Sequence, residues 1–335
     1  MTEKEPSDIA ALLERVKRLE KEQAMLHGRQ TTLENLVRRR ISTSLREALR
    51  PQLWNFWQHA PRLFQLPGHY STIKPPENAP RIAIVTPHFD QLQFLKATID
   101  SVVSQNYPNL SYCVQDCDSG EETRRLLESY GEKLVWSSEP DSGQAQAINR
   151  GFRRASGDIM AYLNSDDLLL PGTLAYVARA FQDHPEIDLV YGHTIYIESR
   201  GWEIGRAVLP PHDSQMLKWM DYIPQETLFW RRRVWDAIGP IDESFRFALD
   251  WDFIIRAQTA GFHFKRLPRF LACFRVHEAQ KSLSMIDIGN QEMNRIRERV
   301  HGRQPKPKEV DRAGRAYLRR QALFHRLYKI GLLHY

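Results

Sequence analysis

The chain has 335 residues, 42% hydrophobic and 26% charged, a composition typical of a soluble globular protein with one large domain and extensions. No run approaches the ~18 consecutive apolar residues of a transmembrane helix, and the segment MTEKEPSDIAALLERVKRLEKE is too charged for a secretory signal. The three cysteines lack metal-site spacing, so we expect a reducing, cytoplasmic environment and no disulfide framework.

The net charge of +6 is concentrated near the C-terminal end. Residues 301–335 hold nine Lys and Arg against two Asp and Glu, so the rest of the chain is close to neutral. The basic character therefore belongs to the tail, which raises the question of a partner for the tail and does not indicate a basic enzyme.

Residues 8–37 carry a heptad repeat. The leucines that recur every seven residues are Leu12, Leu19, Leu26 and Leu33, and the other apolar position holds Ile9, Val16 and Val37. Leucine at one seam position with β-branched residues at the other favours a parallel two-stranded coiled coil. We therefore predict that residues 1–50 form a helical oligomerisation segment, with dimer and trimer both open. The alternative is an amphipathic helix packed on its own domain.

Residues 51–80 are predicted to be a connector. Several prolines exclude a continuous helix there. The aromatic residues Trp54, Phe56 and Trp57 are expected to pack on the neighbouring domain, because together in solvent they would promote aggregation.

From residue 81 onward, predicted strands alternate with predicted helices. The strands are residues 81–87, 110–114, 133–136, 158–163 and 188–191, and the helices between them are residues 94–103, 121–130, 144–155 and 171–183. This alternation predicts an α/β fold with a mostly parallel sheet covered on both faces. Ligands bind such sheets beyond the carboxyl ends of the strands, where Thr86, Asp116 and the pair Asp166-Asp167 fall.

The segment IMAYLNSDDLLLPG, residues 159–172, brings two adjacent carboxylates to the end of a buried strand. Like charges so close raise each other's pKa, and a bound divalent cation removes that cost. Oxygen ligands suit Mg²⁺ or Mn²⁺. The alternative is a pair of solvated turn aspartates, because Asp is common in turns.

Five segments carry motifs in a recognisable order. They are IAIVTPHFDQLQFLKATIDSVVSQNYPN, YCVQDCDSGEET, WSSEPDSGQAQAINRGFRRASGDIMAYLNSDD, IPQETLFWRRRVWDAIGPIDESFRFALDWDFIIRAQTAG and FRVHEAQKS. The series resembles glycosyltransferase family 2, the inverting, sugar-nucleotide-dependent transferases with a Rossmann-like GT-A fold. The resemblance runs from residue 81 to about residue 280 and implies a GT-A domain over residues 81–285.

The resemblance implies a donor site at the strand ends. Asp116 matches the family residue that contacts the nucleobase, usually uracil, although Cys117-Asp118 replaces the usual Gly-Gly. Asp166 matches the residue that holds the ribose or donor sugar, and Asp167 the ligand of a divalent metal, Mn²⁺ or Mg²⁺. The remaining residues assigned to donor or nucleotide binding are Thr86, Asp141, Gly143 and Asn149.

The resemblance also implies an acceptor site. Asp250 matches the catalytic base, which takes the proton of an acceptor hydroxyl. Asp252 is the second candidate, and its alternative is a helix-terminal role paired with Arg256 at i,i+4. Residues with weaker assignments to acceptor or donor-sugar contacts are Gln225, Glu226 and Trp251; buried tryptophans are more often core residues. His277 matches a family residue near the diphosphate or metal, with a structural histidine as its alternative.

Residues 286–335 are predicted to form a basic amphipathic helical tail. Within RAYLRRQALFHRLYKIGLLHY, apolar residues at helical spacing alternate with arginines. Such a helix can lie on an anionic membrane surface, which would place the enzyme on the cytoplasmic face beside a lipid-linked acceptor. The alternative is that the apolar face packs on the domain.

The resemblance implies a metal-dependent inverting glycosyltransferase that moves a sugar from a UDP-sugar to a hydroxyl acceptor, a saccharide or lipid-linked saccharide, in cell-surface polysaccharide or glycolipid synthesis. One alternative is a non-catalytic coiled-coil scaffold with a degenerate GT-A domain. Another is a sugar-phosphate nucleotidyltransferase, which would need a Gly-rich basic loop that TPHFDQLQ does not supply. No recognition motif for nucleic acid accompanies the basic tail.

Overall fold

A computed structural model of the chain describes residues 55–278 and 285–335. These residues belong to a compact unit that begins at Pro51. The predicted heptad at 8–37, and with it the oligomerisation segment 1–50, lies outside the described residues. In the two described ranges, no helix has both the length and the apolar character needed to cross a membrane.

The elements follow the predicted alternation and then continue beyond it. The strands are β1 Ile82–His88, β2 Leu110–Asp116, β3 Val135–Ser138, β4 Ile159–Tyr162, β5 Leu168–Leu169, β6 Leu189–Glu198, β7 Glu203–Ala207, β8 Phe229–Arg231 and β9 Phe264–Val276. The helices are α1 His69–Thr72, α2 Leu92–Val103, α3 Glu121–Glu128, α4 Gln144–Arg154, α5 Thr173–Asp183, α6 Ser214–Leu217, α7 Arg232–Ile238, α8 Leu249–Thr259, α9 Ile286–His301 and α10 Pro307–Lys329.

The described strands form one sheet in the order β3-β2-β1-β4-β8-β6-β9-β5, with β7 paired to β6. The parallel pairs are β1 with β2, β1 with β4, β2 with β3 and β6 with β9. The antiparallel pairs are short and involve β5, β7 and β8. Most paired residues are therefore in parallel register, and the predicted α/β fold is confirmed.

Side chains of β1 alternate between two cores, as the period of a strand requires. Ala83 and Val85 pack in the core that contains residues of α4 and α8. Ile82 and Ile84 pack in the core that contains residues of α2 and α5. Both faces of the sheet are thus covered by helices, and the carboxyl ends of the parallel strands form the edge available to a ligand.

The connector packs on the sheet. The ring centroid of Phe56 lies 5.0 Å from that of Tyr196 and 5.5 Å from that of Phe274. Tyr70 is fully buried, and the backbone N–H of Phe270 donates to its hydroxyl over 3.1 Å. Packing of connector aromatics on the domain, as predicted, is therefore seen for Phe56, although Trp57 remains 49% exposed.

The tail consists of α9 and α10, and the apolar face of α10 is not free. Tyr317 and Ala322 are buried, and Phe324 and Tyr328 pack against an apolar cluster that includes Phe270. Leu323 and Ile330 of the same segment are exposed, so the predicted contact with a membrane surface stays a prediction. The alternative reading, a helix packed on its own domain, describes α10.

Candidate active site

The carboxyl ends of β1, β2 and β4 bring the predicted acidic residues to one edge of the sheet. His88 ends β1, Asp116 ends β2, and the loop with Asp166 and Asp167 follows β4. The parallel register pairs His88 with Asp116 directly. His88 Nε2 lies 3.9 Å from Asp116 Oδ1.

A cavity of about 470 Å³ lies beside Asp116, between the loop after β1 and the start of α3. Its lining residues are mostly polar or acidic: Asp90, Leu92, Gln93, Ser119, Glu121, Glu122 and Thr123. Asp116 does not line this cavity. It shapes the cavity wall, because Asp116 accepts hydrogen bonds from the backbone N–H of Ser119 over 3.1 Å and from its hydroxyl over 2.5 Å.

Two predicted nucleotide contacts have other partners. The carboxylate of Asp116 is fully buried and also accepts a 2.6 Å bond from the hydroxyl of Ser138, so it holds the loop instead of facing the cavity. Thr86 is fully buried, and its hydroxyl lies 3.0 Å from that of Tyr112 inside the core. Direct nucleotide contact by the Thr86 side chain is therefore corrected.

In the loop after β2, a residue that departs from the family pattern adopts a backbone conformation that favours glycine. Asp118 stands where the resemblance leads one to expect glycine, and it adopts a φ of 53°. Asp is among the few residues that tolerate this left-handed conformation. Its carboxylate also pairs with Arg124 on α3.

The turn before α4 has the predicted form. Asp141 accepts a 2.8 Å bond from the backbone N–H of Gly143, and Gly143 has a φ of 134°, which favours glycine. No side chain caps α4 at Gly143, so its first amides are oriented as in helices that bind anions.

Asn149 does not face this turn. Its side-chain amide donates to the Ile241 carbonyl over 2.9 Å and to Glu243 over 3.0 Å, and it accepts from the Ile241 N–H over 3.1 Å. The prediction that Asn149 binds the donor is corrected, because the residue instead joins α4 to the loop before α8.

The acidic loop after β4 is held by the end of β9. The backbone N–H of Arg275 donates to Asp167 Oδ1 over 2.9 Å, and its guanidinium donates to the Asp166 carbonyl over 2.7 Å. His277 Nε2 lies 3.0 Å from Asp166 Oδ2. The predicted donor residues Asp166, Asp167 and His277 therefore come together, and Arg275 fixes their loop.

Carboxylates from three parts of the chain share this region. Burial raises the pKa of Asp167 well above its usual range, and Asp166 and Glu226 raise it further. Burial also raises the pKa of Glu226 to about 7, with added repulsion from Asp250 and Asp166. Asp250 likewise contributes, after burial, to a raised pKa of Asp221. Burial and mutual repulsion therefore disfavour the charged forms of Asp167 and Glu226, although the backbone N–H and the charge of Arg275 oppose this effect at Asp167.

The two residues of the QET turn have different environments. Gln225 donates to the Tyr162 carbonyl over 2.8 Å and accepts from the Asn164 amide over 3.1 Å, while Gln144 donates to Asn164 over 2.6 Å. Gln225 therefore positions the acidic loop through Asn164. Glu226 is 5% exposed, and among the described residues its Oε1 has no hydrogen-bond partner.

The two candidate bases in the first turn of α8 have different environments. Asp250 is partly exposed in the first turn and accepts from the Trp251 N–H over 2.8 Å. Asp252 is fully buried and pairs with Arg256 over 2.8 Å and Arg299 over 2.6 Å. The i,i+4 pair predicted for the structural role of Asp252 is present. The catalytic assignment of Asp252 is therefore corrected.

Trp251 is also a structural residue. It is fully buried, and its indole N–H donates to the Leu217 carbonyl over 2.9 Å. A buried ring cannot stack on a sugar, so the predicted contact of Trp251 with acceptor or donor sugar is corrected.

Two residues that the sequence analysis did not select lie in this site. His88 is 2% exposed, and within the described part of the chain neither ring nitrogen has a hydrogen-bond partner. Burial lowers its pKa, although Asp116, Asp90 and Asp166 all oppose that effect. Asp221 is the second. The only sequence signal for His88 was its position at the end of a parallel strand, and Asp221 had none.

The residues of the acidic loop fit a divalent cation. Asp166 and Asp167 supply the oxygen ligands that Mg²⁺ and Mn²⁺ prefer, and His277 supplies a nitrogen. The orphaned Oε1 of Glu226 and the raised pKa of Asp167 are the effects that a bound dication would relieve. Among the described residues, however, no three such side chains already converge on one point in a ligand geometry.

Comparison with known proteins supports this picture. Residues 83–242 match the model of the family described as Glycosyl transferase family 2. A PGL/p-HBAD biosynthesis glycosyltransferase of Mycobacterium tuberculosis is 32% identical over 183 residues, which cover 53% of this chain and 70% of that protein. The O-antigen biosynthesis protein RfbC of Myxococcus xanthus is 31% identical over 189 residues, 54% of this chain and 15% of that protein.

Two solved structures have the same fold at low sequence identity. Residues 1–349 of Staphylococcus aureus TarS, in complex with UDP-GlcNAc, superpose with a TM-score of 0.55 at 17% identity, covering 70% of each chain. The mannosyltransferase PcManGT from Pyrobaculum calidifontis, in complex with GDP-Man and Mn²⁺, superposes with a TM-score of 0.54 at 18% identity, covering 82% of this chain and 76% of that one. The GT-A fold predicted for the catalytic domain is confirmed by these superpositions.

Proposed function

The chain belongs to glycosyl transferase family 2 and is a glycosyltransferase, and from this premise we propose that it transfers a sugar from a nucleotide-sugar to a hydroxyl acceptor with inversion at the anomeric carbon. The observation that carries the proposal is the meeting of Asp166, Asp167 and His277 at one edge of the sheet, in a loop held by Arg275. These oxygen and nitrogen ligands suit a diphosphate bound with a dication.

On the donor side, we assign the cavity beside Ser119 to the nucleobase, with Asp116 positioning its wall. The uncapped start of α4 faces the diphosphate in this assignment, and Asp166 faces the ribose or donor sugar. The nucleotide is UDP in our proposal, as in the donor bound to TarS. GDP is the second candidate, because PcManGT binds GDP-Man on the same fold.

A divalent metal held by Asp167, with His277, would neutralise the charge that develops on the leaving nucleoside diphosphate. Asp250 is placed for the acceptor side, at the partly exposed first turn of α8. In the proposed reaction the acceptor oxygen bonds to the anomeric carbon while its proton passes to Asp250, and the bond from that carbon to the diphosphate oxygen breaks. Attack opposite the leaving group inverts the configuration.

We propose an acceptor that belongs to glycolipid or polysaccharide synthesis at the cell surface, since the M. tuberculosis and M. xanthus relatives are named for PGL/p-HBAD and O-antigen biosynthesis. A cytoplasmic location and self-association through residues 1–50 remain parts of this proposal.

The test is calorimetric titration of UDP and GDP, with and without Mn²⁺, into wild type, Asp167→Ala and Asp183→Ala. Asp183 is an exposed carboxylate at the C-terminal end of α5, outside the acidic loop, and serves as the matched control. We expect Mn²⁺-dependent binding of one nucleotide that is lost in Asp167→Ala and kept in Asp183→Ala. Absence of binding by both nucleotides to wild type would contradict the proposed donor.

A further inference from the structure

Glu292 on α9 holds the chain segment that leads into α8. Its side chain is largely buried. Glu292 Oε1 accepts a hydrogen bond from the backbone N–H of Arg246 over 2.7 Å. Its Oε2 accepts from the backbone N–H groups of Phe247 and Ala248 over 2.9 Å and 2.8 Å. One carboxylate therefore binds three successive backbone amides, through hydrogen bonds of the stronger, charge-assisted kind.

The amides bound by Glu292 lie at the start of a helix that has no cap of its own. Ala248 stands at the N-cap of α8, and its methyl side chain cannot accept a hydrogen bond. The N–H groups at a helix start carry partial positive charge, so the nearby carboxylate also suits the helix dipole. Asp250 is the second residue of α8, two positions after the last amide that Glu292 binds. A side chain from another helix therefore fixes the backbone next to Asp250.

Other residues of α9 contact the same segment, residues 244–248. A Cβ added to Gly289 would lie 2.8 Å from Phe247 Cδ1, so the phenyl ring packs directly on the backbone of α9. Arg295 donates to Ser244 Oγ over 2.9 Å, and its guanidinium carbon lies 4.5 Å from the ring centroid of Phe245. The segment before α8 is therefore held at several successive positions by one helix.

We propose that Glu292 is a positioning residue for the transfer reaction, because it holds the backbone that carries Asp250 towards the acceptor. The inference rests on the proposed function, in which Asp250 is the base. A general base must lie within hydrogen-bond reach of the proton that it takes, and a displacement of about 1 Å can slow a reaction about 10²-fold. Glu292 lies outside the matched residues 83–242 and beyond residue 280, where the resemblance in sequence ends, so no motif assigns it a role.

The first test measures hydrogen exchange in Glu292→Gln. Glutamine keeps the volume of the side chain but replaces one acceptor oxygen by an NH₂ group, which cannot accept from a backbone N–H. We expect the peptide spanning residues 244–250 to exchange at least about fivefold faster than in wild type. Glu298→Gln, at an exposed carboxylate on the same helix, is the control and should match wild type. Equal exchange in the two variants would overturn the proposal.

The second test measures turnover with the nucleotide-sugar identified by calorimetry. We expect Glu292→Gln to lower kcat about 10–100-fold, while KM for the donor and the affinity for the nucleotide with Mn²⁺ stay at wild-type values. Asp250→Asn is measured alone and combined with Glu292→Gln. If Glu292 acts through Asp250, the double variant is no slower than Asp250→Asn alone, because residues that act as a unit have non-additive effects.

The outcomes separate this inference from the proposed function. If Asp250→Asn leaves kcat unchanged, the proposed base fails, and the role given to Glu292 fails with it. If Asp250→Asn slows turnover but Glu292→Gln does not, only the role of Glu292 is overturned. The same holds if Glu292→Gln slows the Asp250→Asn enzyme further, since that loss would be a general structural effect. Melting curves set an assay temperature at which all the variants are folded.

Discussion

His277 and Asp166 meet beyond the carboxyl end of β4, with His277 Nε2 3.0 Å from Asp166 Oδ2. His277 directly follows β9 and Asp166 follows β4, so the contact joins residues 111 positions apart. Arg275 fixes the same loop through its bonds to Asp166 and Asp167. The last strand of the domain therefore sets the position of the acidic loop, although the motif in that loop is contiguous in sequence.

Asp167→Asn is expected to raise Tm in metal-free buffer at pH 7 by a few degrees, about 2–4 °C per kcal/mol in a domain of this size. The reason is that the buried Asp167 carboxylate is repelled by Asp166 and Glu226, and an amide is not. Mn²⁺ should raise the Tm of wild type and leave that of the variant unchanged. Thermal melts with and without Mn²⁺ measure both effects; a variant that melts below wild type without metal would contradict this account.

Glu226→Gln is expected to change how stability depends on pH. Because the pKa of Glu226 in the folded state is raised to about 7, its contribution to the free energy of unfolding is complete below about pH 4.5 and is lost as pH rises through about 7. The variant should therefore gain up to about 3 kcal/mol over wild type between pH 5 and pH 8. Urea unfolding at both pH values tests this. The exposed Glu128→Gln serves as the control, and an equal pH response in the two variants would argue against a buried, repelled Glu226.

The spacing of apolar residues was sufficient to predict the strands and helices in the first half of the domain. Apolar runs such as RIAIVTP and IMAYL predicted β1 and β4, and apolar residues at helical spacing predicted the helices between them. Because parallel strands end at a common edge, the positions of Asp116, Asp166 and Asp167 followed from these elements alone. The short strands β7 and β8 carry little pattern of their own, and their pairing depends on β6.

Side-chain roles were harder to predict, since they depend on partners distant in sequence. Asn149 lies in a recognised motif but bonds to Ile241, 92 residues away. The second arginine of Asp252 is Arg299, on α9. Neither contact can be read from spacing within a motif. The same holds for His88 on β1, whose acidic neighbour Asp116 lies at the end of β2.

Asp250→Asn is expected to lower kcat by about 10²–10⁴-fold while nucleotide affinity stays close to that of wild type, because a base on the acceptor oxygen acts on the chemical step. Asp252→Asn is the matched control from the same helical turn. It should lower the free energy of unfolding by about 1–3 kcal/mol, through weakened bonds to Arg256 and Arg299, with kcat retained. Turnover with the nucleotide-sugar identified by calorimetry provides the readout. The reverse result, with kcat lost only in Asp252→Asn, would exchange the two roles.

Replacement by alanine should change the free energy of unfolding in opposite directions at two glycines that lie in helices. A Cβ on Gly151 of α4 would lie 2.3 Å from Val85 Cγ1, and Val85 is fixed in β1. Gly151→Ala should therefore destabilise the fold by about 1–2 kcal/mol and shift α4 away from the sheet. That shift should weaken nucleotide binding, because the start of α4 faces the proposed diphosphate site.

Gly314 on α10 is the control, since the nearest atom to its Cβ would be Met220 Sδ at 3.6 Å, an ordinary contact. Gly314→Ala should stabilise the fold by about 0.5–1 kcal/mol, as in other helix interiors, and leave nucleotide affinity unchanged. Urea unfolding of both variants measures the change in stability, and nucleotide titration measures the change in affinity. If Gly151→Ala were stabilising, or if the two variants changed nucleotide affinity equally, close packing of α4 on β1 would not be what places the donor site.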